Sequence, residues 1–185
     1  MAWAIAQQCA AFMCPDARNL PPEPQPPIAL RPERPDDERF LYAVYASTRE
    51  AELALTNWDA PVRRAFLDHQ FNAMRQGYRS MFPDGEFLIV EINGQPVGRL
   101  VVHRAAAEIR VVDLALLPAH RNQGTGTFLM RQICDQADRP VRLSLLQHNR
   151  AFHWYERLGF AKVGDLGVYD ELEWRPSVKS PSPAG

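Results

Sequence analysis

Residues 116 to 126 read Leu116-Leu117-Pro118-Ala119-His120-Arg121-Asn122-Gln123-Gly124-Thr125-Gly126. An apolar run ends there, two glycines stand one residue apart, and an amphipathic pattern begins. A strand that turns through such a loop into a helix aims consecutive backbone N–H groups and the positive end of the helix dipole outward together. That is an anion site, suited above all to a phosphate or pyrophosphate. Arg121 adds a cation at the same mouth. A dinucleotide fold would want a third glycine where Leu129 stands, and an acidic residue closing the next strand, which Val141 to Leu146 does not offer. A P-loop would want Gly-Lys followed by Ser or Thr, and no such triplet occurs. What stands here is Arg-x-x-Gly-x-Gly, and a plain glycine-rich turn into a helix is the other reading of it.

A second block follows the next strand: Asn149-Arg150-Ala151-Phe152-His153-Trp154-Tyr155-Glu156-Arg157-Leu158-Gly159-Phe160. With both blocks in order, the sequence resembles the GNAT superfamily of acyl-CoA-dependent N-acetyltransferases. That superfamily carries Arg/Gln-x-x-Gly-x-Gly/Ala and later Asn-x-x-Ala/Ser-x-x-Leu/Phe-Tyr-x-x-x-Gly-Phe. The second block departs modestly, with Ala151 one place early and Trp154 where leucine is usual. The likeness covers residues 28 to 175.

The resemblance implies an α+β, three-layer fold. Its central sheet of about seven strands would be mixed and mostly antiparallel, with a V-shaped splay between two parallel strands and helices on both faces. Acetyl-CoA would be the cosubstrate, its pantetheine lying in the splay against the backbone of Leu116 and Leu117 as if extending the sheet. Its pyrophosphate would rest on the N–H groups of Asn122, Gln123, Gly124, Thr125, Gly126 and Thr127, with Arg121 near it. Asn149 matches the position that reaches the pantetheine arm, and Phe152 is placed to pack on it. The reaction implied is direct attack of a neutral amine on the thioester carbonyl, polarised by a backbone N–H near Leu116. Tyr155 matches the tyrosine that protonates the departing thiolate, a role open to a phenol of ordinary pKa ~10. A tyrosine that only packs beneath the cofactor is the other reading.

The general base has two readings. Many family members carry a glutamate on the central strand where this sequence has Arg110. Asp113 is the acidic group between Val111 and Leu117, and an acid in so apolar a strand needs a partner or a purpose. It is a candidate base acting through water, or the partner of Arg110, His103 or Arg99. Glu108 is a weaker candidate. His148 and His153 are five apart, no His-Glu-x-x-His or Cys-x-x-Cys occurs, and no metal site is expected. The acceptor expected is a small-molecule or peptide amine. A protein N-acetyltransferase and a noncatalytic acyl-CoA-binding sensor are the alternatives, and a homodimer is open.

These residues need a sheet beneath them. Ile28 to Leu30 reads as a short strand, and Asp36-Asp37 opens a helix with Phe40, Leu41, Val44 and Tyr45 at helical spacing. A second helix starts at Pro61 and is weakened at Gly77. Residues 86 to 92 and 95 to 103 form a hairpin about Asn93-Gly94, the preferred filler of a type I′ turn. Ile109 to Leu117, apolar on both faces apart from Arg110 and Asp113, is a central strand. Gly126, Leu129, Met130, Ile133, Cys134 and Ala137 then give one face of a helix that Pro140 ends. The strand Val141 to Leu146, a short helix over 149 to 158, and strands near Phe160 to Val163 and Val168 to Trp174 complete the pattern.

The chain has 185 residues, 46% apolar, with net charge −1. It lacks the cationic footprint of a general nucleic-acid binder and any apolar run of the ~18 residues a spanning helix needs. Neither nucleic acid nor membrane is an expected partner. Three scattered cysteines suit a reducing cytoplasm better than a disulfide framework. Of 16 prolines, eight fall between Pro15 and Pro35 and three in the last ten residues. Residues 1–27 therefore read as a flexible proline-rich extension, 28–175 as the catalytic domain and 176–185 as a flexible tail. Met1 to Cys14 is apolar, but no cation precedes it as a signal peptide would require.

Overall fold

Asn93 and Gly94 both adopt positive φ, 52° and 73°, the backbone that lets two right-twisted strands meet in a two-residue turn. The strands so joined are β2 (Glu86–Ile92) and β3 (Gln95–Arg104), in a computed structural model that describes residues 27–176. The extension expected over residues 1–27 and the tail over 176–185 lie, but for Pro27 and Pro176, outside the described residues. The remaining elements are β1 (Ile28–Pro32), α1 (Glu38–Leu53), α2 (Ala60–Met81), β4 (Ile109–Leu116), α3 (Thr125–Asp135), β5 (Val141–Leu146), α4 (Phe152–Arg157), β6 (Ala161–Asp165) and β7 (Tyr169–Trp174).

The strands form a single seven-stranded sheet in the order β1-β2-β3-β4-β5-β7-β6. Every neighbouring pair is antiparallel except β4 and β5. A parallel pair needs a crossover, and α3 supplies it. Its period of buried residues, Gly126, Leu129, Met130, Ile133 and Cys134, lays one apolar face on the sheet. With Trp154 and Tyr155 of α4 it closes over Val90, Leu100, Leu114 and Leu143 on one side. On the other side α1 and α2 bury Leu41, Tyr45, Phe71, Met74 and Tyr78 against Ile89. The fold is thus three-layered and α+β, as the resemblance implied.

Two details depart from the sequence reading. The helix begun at Ala60, capped where the Asp59 side chain accepts from Val62 N at 3.0 Å, runs through Gly77 to Met81. Glycine costs a helix about 1 kcal/mol, and burial of Tyr78 and Met74 on either side outweighs that. The start expected at Asp36-Asp37 is a 3-10 turn, Pro35–Asp37, and α1 follows it. Among the described residues no helix is long and apolar enough to cross a membrane.

Candidate functional site

β4 and β5 are in register at only two pairs, Ile109↔Val141 and Arg110↔Arg142. Beyond them β4 stays with β3 as far as Leu116↔Gly98, and β5 stays with β7 as far as Leu146↔Tyr169. The sheet therefore opens into a wedge between Val111–Leu116 and Leu143–Leu146. A local cause lies in β4: Val101 faces Asp113 while Val102 faces Val111, so Val112 is an extra residue on that strand. Such a bulge bends its strand and increases the twist. The backbone edge of β4 that faces the wedge is then a template for an extended ligand, because buried N–H and C=O groups need partners. The side chains of Leu114, Ala115 and Leu116 behind it are buried.

At the open end of the wedge the chain turns sharply into α3. Leu117 N donates to Val97 O at 2.8 Å, His120 N to Leu117 O at 2.9 Å and Arg121 N to Pro118 O at 3.2 Å. Asn122 and Gly124 take positive φ, 59° and 83°. Gly124 is the N-cap and has no side chain to bond the first turn. The leading N–H groups of α3, at Thr125, Gly126 and Thr127, also have no carbonyl one turn back, so they present an uncapped positive pole at the mouth. Gln123 closes the loop by donating from Nε2 to Ala119 O at 2.7 Å.

Arg121 is spent on the chain itself. Its Nε donates to Leu116 O at 2.8 Å, and its Nη2 reaches Ser47 of α1, at 2.8 Å to Oγ and 3.2 Å to the carbonyl. Burial pulls this guanidinium below the usual arginine value, against the opposing field of Glu50. The cation that was to stand near a pyrophosphate thus straps the loop and the end of β4 to α1.

α4 brings the second block to the same wedge. Asn149 Oδ1 accepts from Ala151 N at 2.9 Å and starts the turn, and Phe152 N donates to Asn149 O at 3.0 Å. Phe152 is half-buried against the cluster that holds Leu116 and Leu145. Tyr155 lies within that cluster, 1% exposed, with ring centroids 4.5 Å from Trp154 and 5.5 Å from Phe160. Trp154 Nε1 donates to Thr127 Oγ1 at 3.1 Å, which ties α4 to the first turn of α3. Sequence reasoning missed that bond; the only signal for it was a donor-only indole and a hydroxyl in the two motif blocks.

Asp113 points to the opposite face of the sheet. It is fully buried, and its Oδ2 is 2.5 Å from Arg99 Nε. Of the three cations considered for it, Arg99 is the one in contact. His103 stacks with Phe82 at 5.3 Å, and Arg110 pairs with Glu108 at 2.7 Å and Glu171 at 2.9 Å. Burial pushes the Asp113 carboxyl above its usual range, and the Arg99 charge opposes the shift. Asp113 and Arg99 line a cavity with Phe71, Met74, Tyr78 and Phe87. Glu108, the weaker candidate base, is held by Arg110 and by Arg142 at 3.1 Å. Leu116, Phe152, Tyr155 and the α3 N-terminus therefore converge, while Asp113 stands apart.

Residues 83–162 match the family model of the acetyltransferase (GNAT) domain. Over those residues the chain matches a GNAT acetyltransferase domain. Solved structures agree in fold. The PaiA N-acetyltransferase of Thermoplasma acidophilum, in complex with coenzyme A, aligns over 80% of this chain and 99% of its own, with TM-score 0.61 and 17% identity. An acetyltransferase from Thermus thermophilus aligns over 80% and 96%, with TM-score 0.61 and 20% identity. The ribosomal-protein-S18-alanine N-acetyltransferase of Escherichia coli aligns over 85% and 99%, with TM-score 0.54 and 17% identity. At these identities the likeness is one of fold. The GNAT match runs from β2 through α4 to the first residues of β6, and so includes the wedge and the glycine loop.

Proposed function

We propose that this GNAT domain transfers an acetyl group from acetyl-CoA to a primary amine by direct attack. The observation that carries the reading is the parting of β4 from β5 after two register pairs, with the uncapped N-terminus of α3 at the open end. An extended pantetheine arm has a free strand edge to follow, and a pyrophosphate has N–H groups and a helix dipole to meet. The coenzyme A held by the Thermoplasma acidophilum protein supports the same choice.

In this reading the amine nitrogen attacks the thioester carbonyl carbon, the C–N bond forms and the C–S bond breaks. A backbone N–H at the end of β4, near Leu116, takes up the developing charge on the carbonyl oxygen. Tyr155 gives its phenolic proton to the leaving sulfur and regains one from the substituted nitrogen, so no proton is lost. Its place in the cluster with Leu116 and Leu145, beside the wedge, supports this role. Asp113, closed off with Arg99 on the other face, serves the interior of the sheet. The catalytic unit is residues 28–175, and the free, buried Cys134 thiol suits a reducing cytoplasm.

The test is release of free thiol from acetyl-CoA across a panel of polyamines, aminoglycosides, amino acids and peptides with free N-termini. Tyr155→Phe keeps the ring and its packing, so it should bind coenzyme A as wild type does while kcat falls about 100-fold. Undiminished turnover by Tyr155→Phe would remove the general-acid role. Coenzyme A binding with no thiol release on any amine would favour a noncatalytic sensor, and activity confined to peptides would move the acceptor to proteins.

A further inference from the structure

The two halves of the sheet, β1–β4 and β5–β7, share backbone register at two pairs only. Past the second pair, the separation of the strands is set by whatever side chains cross the opening. On the face that carries Val112 and Ser144, charge makes the crossing. Arg110 of β4 donates from Nη2 to Glu171 Oε1 on β7 at 2.9 Å, passing 3.4 Å from Ser144 Oγ on β5. Its Nε is held by Glu108 at 2.7 Å. Arg142 of β5 returns the contact, from Nη1 to Glu108 Oε2 at 3.1 Å, and bonds Glu173 on β7 at 2.6 Å. The Arg110, Glu108 and Glu171 side chains are only 21%, 19% and 19% exposed.

Lone surface pairs contribute little, because two long side chains must be fixed for one contact in high dielectric. Here the carboxylates are shared and half-buried, so fixing one side chain serves several bonds. The network also sits at the vertex of the wedge, where a small change in angle moves the open end most.

We infer that Arg110 is the positioning residue of the wedge. By reaching over β5 to Glu171 it fixes how far β5 and β7 stand from β4, and thereby how tightly the wedge grips the cosubstrate arm. The inference rests on the acyl-CoA reading above. No other bond in the network joins β4 directly to β7, so Arg110 is the residue whose loss relaxes that spacing.

The test is calorimetric titration with coenzyme A of wild type, Arg110→Ala, Arg110→Lys, Glu171→Gln and the Arg110→Ala/Glu171→Gln pair, beside their unfolding midpoints. Arg110→Ala should weaken binding about tenfold, Glu171→Gln by part of that, and the double variant no further than Arg110→Ala. Arg110→Lys should recover some of the loss, since an ammonium reaches one carboxylate but does not bridge two. A purely structural role would lower the midpoint and leave the dissociation constant where it was. Binding by Arg110→Ala within twofold of wild type overturns the inference. If Arg110→Ala does not fold, unchanged binding by Glu171→Gln does so instead. Should wild type itself not bind coenzyme A, the acyl-CoA reading falls and this inference with it.

Discussion

Gly98 sits on β3 opposite Leu116, at the open end of the wedge. A Cβ there would meet both the Ala115 carbonyl oxygen and Leu116 Cδ2 at 2.4 Å. The carbonyl is backbone of β4 and has no rotamer to escape into. Gly98→Ala should therefore push β4 outward and cost about 1–3 kcal/mol, the range for overpacking a dense core. Chemical denaturation measures the loss, and coenzyme A titration should show weaker binding, because the displaced residues carry the edge proposed for the cofactor. An alanine variant as stable as wild type would mean that β4 yields freely at this point. Asp113 teaches a related lesson about single residues. Its type and its apolar strand were legible, but its partner was not. Strand alternation alone cannot say that Arg99, fourteen positions earlier, reaches the same face two rungs away.

At the scale of elements, β1 and α1 are joined by one carboxylate. Asp37 accepts from Arg31 Nη1 and Nη2 at 2.7 and 2.8 Å and from the Arg34 N–H at 2.7 Å. The bonds from Arg31 are the chief reason the Asp37 carboxyl lies below its ordinary 3.8, against the cost of burial. The native state thus holds Asp37 ionised at a pH where the unfolded chain has begun to bind a proton. Its stabilisation is complete above 3.8 and is lost as pH falls through the depressed native value. Asp37→Asn should remove about 2 kcal/mol at neutral pH, the size of charge-assisted bonds, and should flatten the acid limb of the stability curve. Urea unfolding of both proteins between neutral and acid pH checks the sign. Most elements were readable because each carries its own period and stop: Asn93-Gly94 for the hairpin, the spacing from Gly126 to Cys134 for α3, Pro140 for its end. The parting of β4 from β5 was available only through resemblance, since register between distant strands leaves no local mark. The bulge at Val112 and the inward turn of Arg121 left none either, as both depend on what the opposite strand and α1 present.

For the whole molecule, the consequence is a sheet in two parts that meet at two backbone pairs, beneath a shared layer of α3 and α4. A ligand lying in the opening would bond β4 along its free edge and meet the first turn of α3, and so couple parts that the backbone leaves apart. Binding of that kind stabilises the folded state by mass action. Coenzyme A at 100 times its dissociation constant should add about 2.7 kcal/mol. For a domain of this size that raises Tm by roughly 5–10 °C. Pantetheine, which keeps the arm and lacks the phosphates, should raise Tm less at the same concentration, because it leaves the α3 N-terminus unmet. Hydrogen exchange should slow along Val111–Leu116 with either ligand, and over residues 122–127 with coenzyme A alone. Protection confined to any other part of the sheet would place the ligand outside the wedge.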